Sequence, residues 1–392
     1  MGGVTMAADG VRKRDGIHAL PPREKISEPA RMIRECYAIT PGAPIFQREF
    51  GFMEGTKDRW RSEGMPDPWP FPDDPEARVH LGHLGWTEPA YAPEFDTKVL
   101  EDRGEYELAQ DTAGRAVLYF KGRRQGFMPE YVDHPVKDQK SWEEDVKWRL
   151  DPETPTRYRD LDRLVDDARR KVAHGEMVVA NLIGGYMYLR SMIGPEGVLY
   201  AVIDQPELIH DCMETWLRLA DGVLARFQKR LTIDEIFLAE DICYNRGPLI
   251  SPDMMREFLF PYYQQLISGV RSRQIDPERT LHIQIDTDGN VNDVIDVYRE
   301  IGMNAMSPFE VASGCDVVAI GKRYPDLVMF GGIDKRVLAQ GPAEIDAMLE
   351  RIIPAMRRRG GFIPTCDHAV PVEVSYANYA HYRNRLWELC RE

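Results

Sequence analysis

The apolar positions of this chain switch repeatedly from a period of two to a period near 3.6, and polar residues collect where one gives way to the other. Leu281, Ile283 and Ile285 alternate as in a strand, and the run stops on Asp286-Thr287-Asp288-Gly289-Asn290, a turn-forming sequence. Val291, Val294, Ile295, Tyr298 and Ile301 then recur as one face of a helix, which Gly302 closes. The pattern repeats. Residues 304–310 read as a short strand ending on Glu310, followed by a helix over 316–323. Residues 327–335 read as another, ending Gly331-Gly332-Ile333-Asp334-Lys335, with a helix over 343–359. The last strand, 361–368, ends Cys366-Asp367-His368. Short, nearly all-apolar runs of this kind are what a parallel sheet covered on both faces requires.

Upstream, 26–37 has the spacing of a short helix, and 43–52, 177–182 and 235–241 read as strands. Gly184-Gly185-Tyr186 opens a helix after the second of these, and Ser251 and Pro252 suit the cap and first position of another. Between them 66–75 is a proline-rich surface loop, and 106–120 alternates through Asp111-Thr112-Ala113-Gly114 as a hairpin. The pattern predicts an α/β protein, a TIM (β/α)8 barrel with an N-terminal extension and an inserted β-hairpin. Residues 1–40 form the tail and short helix, and 41–392 the barrel, with the insertion at about 66–155.

Composition narrows the function. A net charge of -14 disfavours nucleic acid and anionic membranes as partners, although a local arginine pocket would still hold an anionic small molecule. No apolar run is long enough to span a bilayer and no secretory signal opens the chain, so a cytoplasmic location is expected. The six cysteines are scattered without a Cys-x-x-Cys pair and read as buried apolar residues.

In a barrel, strand C-terminal ends converge on one mouth. That groups Asp286, Asp288, Glu310, Asp334, Lys335, Cys366, Asp367 and His368 as one candidate site. Asp288 and Asp334 also precede helices and serve equally well as caps. Gln47, Arg48 and Glu49 end the first expected strand, Asp241 ends another, Tyr186 follows the glycine pair, and Arg246 lies in a loop over the mouth. These are the candidate substrate contacts. Lys121, Arg123 and Arg124 either hold a carboxylate or phosphate or form a solvated face. Gly184-Gly185 either admits an anion to the helix start or makes a tight turn, since neither G-x-G-x-x-G nor a Walker lysine is present. Carboxylates crowded at one mouth argue against a barrel that merely binds a ligand.

Arg246-Gly247-Pro248-Leu249-Ile250-Ser251-Pro252, Gly331-Gly332-Ile333-Asp334-Lys335 and Asp367-His368-Ala369-Val370-Pro371 resemble the uroporphyrinogen decarboxylase superfamily, as do Gly194-Pro195-Glu196 and Asp204-Gln205-Pro206-Glu207. The superfamily also holds the cobalamin-linked methyltransferases, and the resemblance implies its (β/α)8 barrel. Its decarboxylases carry an Arg-x-x-Gly-Arg turn where this chain has Gln47-Arg48-Glu49-Phe50-Gly51, which weakens a grip on a polycarboxylate. His368 and Pro371 match the decarboxylases' C-terminal Gly-His-Gly turn and the proline after it. The methyltransferases bind zinc through His-x-Cys-Gly-Asn and a later cysteine; aligned on Gly289-Asn290, Asp286 and Asp288 stand at the first two positions and Cys366 at the third, while a competing register, His282-x-Gln284, would need the loop to shift.

What the resemblance implies is methyl transfer from a small methoxylated or methylamine-like substrate to a corrinoid on a partner protein, or to another carrier. A divalent metal, zinc in the family, would sit on Asp286, Asp288, Glu310 and Cys366, with His368, Asp367, Asp288 and Glu310 as the catalytic set. The alternative it implies is decarboxylation of uroporphyrinogen or another carboxylated aromatic, with Arg48, Arg124 and Arg246 as cations and His368 as acid. A monomer or homodimer is expected.

Overall fold

The computed structural model describes residues 21–71, 76–122 and 129–391. Seven parallel strands follow one another in chain order: β1 (Arg78–Leu84), β2 (Met177–Ile183), β3 (Glu235–Ala239), β4 (His282–Asp286), β5 (Ala305–Ser307), β6 (Val328–Ile333) and β7 (Phe362–Cys366). Helices Pro206–Gln228, Phe260–Ser272, Val317–Arg323 and Pro342–Arg359 lie between them in the chain.

The period of two sorts each strand onto two cores. Ile283, Ile285, Met306, Met329 and Phe362 join the large cluster with the helices. Ala305, Val328, Phe330 and Ile363 join a smaller one with Phe46 and with Ala30, Ile33 and Tyr37 of the helix Glu28–Tyr37. The curled sheet therefore has an outer face under the helices and an inner face plugged by the N-terminal helix. Ser27 starts that helix by accepting the Ala30 N–H.

Two expectations about the strands change. Residues 43–52 are extended but do not form a ladder: Phe52 makes one isolated bridge to Val370. Pro44 has no N–H to offer a ladder, the Ile45 N–H goes to the Cys390 carbonyl, and the Glu49 carboxylate takes the Cys366 N–H at 2.9 Å. Its neighbouring strand is thus met by a side chain instead of a backbone. The first sheet strand is instead Arg78–Leu84, inside the stretch read as insertion, so the described sheet has seven strands where a closed barrel has eight.

The hairpin forms as expected, with Tyr106 opposite Phe120 and Gln110 opposite Ala116, and the Asp111 side chain accepts the Ala113 N–H in its turn. Lys98–Arg103 and Glu130–Asp133 extend it to four antiparallel strands. The helix expected over 291–301 shortens to Ile295–Arg299, because the Asn290 side chain accepts the Asn292 N–H and holds the preceding residues in turns. All six cysteines are buried. Among the described residues no helix is long and apolar enough to cross a membrane. Residues 1–20 of the expected tail, 72–75 of the proline-rich loop, and Arg123 and Arg124 lie outside the described residues.

Candidate functional site

Glu310, Lys335, Asp367, Asp288 and His368 meet at the C-terminal ends of the strands. The Lys335 Nζ lies 3.0 Å from Glu310 Oε1 and 3.7 Å from Asp367 Oδ1. Asp367 is fully buried and accepts N–H bonds from Val311 at 2.9 Å and Lys335 at 3.3 Å. Glu310 reaches back to the Gly289 N–H at 2.9 Å, tying the loop after β5 to the turn after β4. His368 Nε2 stands 3.6 Å from Asp288 Oδ2, with the Phe50 ring 5.5 Å from the imidazole.

These contacts set different charges on chemically similar groups. Burial raises the Asp288 carboxyl to about 8, reinforced by the charges of Asp241, Glu310 and Asp286 and opposed by Lys335. Asp286 is raised to about 6 by burial, against a hydrogen bond from Ser307. For Glu310 burial is outweighed by the hydrogen bonds from Lys335 and the Gly289 N–H, and its carboxyl sits below the ordinary range. Burial and Lys335 both push the His368 imidazole down. At neutral pH the mouth thus holds a protonated Asp288 beside a neutral His368 and an ionised Glu310. Carboxylates driven apart in this way can divide the roles of acid and counter-ion.

One side of the mouth rests on Glu240, which the sequence reading passed over. Its fully buried carboxyl accepts the Tyr186 N–H at 3.0 Å and the Tyr263 hydroxyl at 2.6 Å. This explains the glycine pair: a Cβ at Gly184 would meet Glu240 Oε2 at 2.3 Å. The start of the helix Gly185–Ile193 is therefore occupied by the protein's own carboxylate, which supports the tight-turn alternative over the anion site. Asp241, next in the chain, adopts a left-handed φ of 48° and pairs with Arg190 at 3.4 Å. The terminal acids of the run Leu238-Ala239-Glu240-Asp241 were the available signal.

The remaining expected contacts scatter. Gln47 and Glu49 are buried near the C-terminal helix, Glu49 beneath Cys366 and within 3.9 Å of Arg383. Arg48 pairs with Glu76, just before β1. Arg246 lies on an exposed turn between Cys243–Tyr244 and Gly247–Pro248. Tyr186 is buried near Arg190 and Glu240. Asp334 is a helix cap: it accepts the Arg336 N–H at 2.9 Å and pairs with that guanidinium at 2.8 Å.

The expected metal ligands do not fit a metal as arranged. Asp286 is bonded to Ser307, Glu310 to Lys335, and Cys366 is fully buried with its thiol pushed well up by burial. Among the described residues no three His, Cys, Asp or Glu side chains gather in ligand geometry.

A curled parallel sheet with its polar residues at the strands' C-terminal ends places the chain among α/β proteins with a mouth-type site. More particularly, residues 128–388 match the model of Uroporphyrinogen decarboxylase (URO-D), and the chain belongs to that family. No curated protein matches the sequence. Among solved structures, a methyltransferase from Methanosarcina mazei superposes at a TM-score of 0.54 with 14% identity, covering 92% of this chain and 99% of its own. A B12-independent methionine synthase from Shewanella sp. W3-18-1 superposes at 0.33 with 10% identity over 58% of this chain and 65% of its own. A Bacteroidetes-affiliated GH5 cellulase does so at 0.36 with 11% identity, over 61% and 75%.

Proposed function

We propose that this chain is an enzyme that removes a methyl group from a small methoxylated or methylamine-like substrate and passes it to a nucleophilic carrier, a corrinoid on a partner protein in this reading. The observation that carries it is the placement of Asp288 at the mouth, its carboxyl 3.6 Å from His368, where burial and the charges of Asp241, Glu310 and Asp286 raise it towards the neutral acid. When the methyl–heteroatom bond breaks, the pair left on oxygen or nitrogen needs a proton, because an unprotonated alkoxide or amide leaves poorly. Asp288 supplies it, and His368, 3.6 Å away, receives it back from solvent and returns it to Asp288. Lys335 pairs with Glu310 and Asp367 and favours their ionised forms.

Charge favours this reading over decarboxylation of a polycarboxylate. Asp241, Asp286, Asp288, Glu310 and Asp367 face a mouth in which Lys335 and Arg190 are already paired with carboxylates. Of the cations expected to grip carboxylates, the two among the described residues do not assemble: Arg48 is paired with Glu76 and Arg246 is exposed. The protein is incubated with reduced cobalamin and a panel of methylamines and methyl ethers, and methylcobalamin is followed by absorbance. Donor-dependent methylcobalamin that Asp288→Asn abolishes is expected. Consumption of uroporphyrinogen without methyl transfer from any donor would overturn the reading.

A further inference from the structure

A cavity of about 390 Å³ opens over β1 and β2 against the antiparallel insertion, whereas the acidic mouth is built from the ends of β3 to β7. Gly82, Gly85, Trp86, Glu88, Glu94 and Asn181 line it among others, and its volume is that of a small-molecule site. A lone exposed apolar side chain needs no explanation, but Trp86, 46% exposed, is not loose on the surface. Its indole lies flat on Phe237 of β3, with ring centres 4.9 Å apart and planes within 15°. The turn that presents it depends on Gly85, which has a φ of 82° and where a Cβ would meet the Glu88 carbonyl oxygen at 2.3 Å. At Gly82 a Cβ would meet nothing within 4 Å, so the space beside the ring is open.

Charge at this cavity is mixed. Glu88 keeps 46% of its side chain in solvent and pairs at 2.7 Å with Arg115, itself 6% exposed and shared with Asp111. Among the described residues of the lining there is no lysine or arginine. An anion would therefore meet carboxylates, and a cation would find one of the two already matched. What the lining can satisfy is a set of neutral donors. Glu88 and Glu94 accept, and hydroxyls bonded to carboxylates make the stronger, charge-assisted kind of hydrogen bond. Asn181 adds an amide oriented by His80, whose Nδ1 lies 3.1 Å from its Nδ2. The ring asks for something different, an apolar surface with a faint positive charge, because the face of an indole is the negative part of its quadrupole.

We propose that this cavity binds a neutral pyranose, its C–H face laid on Trp86 and its hydroxyls donating to Glu88 and Glu94. A sugar ring joins the two requirements in one molecule, since its hydroxyls stand around the rim while C–H groups cover a face. The site goes beyond the methyl-transfer reading and does not rest on it.

The test is calorimetric titration of the full chain with the methyl pyranosides of glucose, galactose and mannose, and with nicotinamide as an uncharged flat ring. At least one glycoside is expected to bind with a Kd of about 1 mM or tighter, and more tightly than nicotinamide. Trp86→Ala is expected to weaken that glycoside about tenfold or more, with Trp86→Phe restoring part of the loss. Glu94→Gln should weaken it severalfold, and Gly82→Val should block it with the melting temperature unchanged. Glu88 is left in place because its removal would strand Arg115. The proposal is overturned if no glycoside reaches that affinity, if nicotinamide binds more tightly than all three, or if glycoside binding is indifferent to both Trp86→Ala and Gly82→Val.

Discussion

Replacing Lys335 with methionine removes the one cation among the described residues that is within ion-pair distance of both Glu310 and Asp367. At 3.0 and 3.7 Å the two attractions are each about 4–6 kcal/mol at an effective dielectric near 20. Lys335 and Glu310 keep 21% and 18% of their side-chain surface in solvent, while Asp367 keeps none, so water recovers part of the loss for Glu310 only. Asp367 also retains its two backbone N–H partners. A net cost of about 3 kcal/mol, the low end for breaking a buried pair, is expected. For a chain of 392 residues unfolding with about 2 cal/mol/K per residue, that lowers the melting temperature by about 4 °C near pH 7.5.

The pH dependence follows from the Glu310 shift. Lys335 depresses the folded-state Glu310 carboxyl below its ordinary value, so the stabilisation is present above that value and is lost as pH falls through the folded one. The gap between wild type and Lys335→Met therefore narrows in acid. Lys335 also holds the Asp288 carboxyl down, so the alkaline limb of activity, set near pH 8, moves to higher pH in the variant. Differential scanning fluorimetry at pH 4 and 7.5, with the methylcobalamin assay across pH 6–10, reads both. An unchanged melting temperature at pH 7.5 together with an unmoved alkaline limb would refute the assigned role of Lys335.

Other perturbations separate chemistry from scaffold. Asp288→Asn should cut methyl transfer by roughly 10²–10⁴-fold and remove the alkaline limb, with melting temperature held or raised, as read by kinetics and fluorimetry. Glu240 is buried with its carboxyl raised to about 7 by burial, against hydrogen bonds from Tyr263 and the Tyr186 N–H. Its neutral form is the folded protein's preference, so stability present at low pH is lost as pH rises through about 7, by an amount on the order of 3 kcal/mol. Glu240→Gln should flatten that slope, which runs from about pH 4.5 to about 7, in a thermal-shift series. Arg279 and Asp234, both 4% exposed, form a buried pair at the strands' starting end; Arg279→Leu should cost about 3–5 kcal/mol in melting experiments and leave the activity–pH profile unmoved.

Much of the sheet was legible because β2 to β7 bury both faces, which writes a nearly unbroken apolar run into the chain. β4, β6 and β7 each fall where such a run ends in charge or glycine. β1 escaped because its inward positions are Arg78, His80 and Gly82, so only Val79 and Leu81 mark it as a strand. The segment 43–52 misled in the opposite sense: its alternation is real, but the residues alternate between the inner core at Phe46 and burial under the C-terminal helix at Gln47 and Glu49.

Sequence alone determined the strands from β2 to β7, the hairpin and the strand-end placement of Glu310, Lys335, Asp367 and His368, because in a parallel sheet all strands end on one side; it left Asp334 open between helix cap and substrate contact. It did not determine which acid carries a proton. Asp286, Asp288, Glu240 and Glu310 are interchangeable as letters, and their differences come from burial and from partners distant in the chain: Lys335 on Glu310, Tyr263 on Glu240, Asp241 beside Asp288. A carboxyl's charge depends on what surrounds it within a few ångströms, and that neighbourhood exists only once the chain has folded.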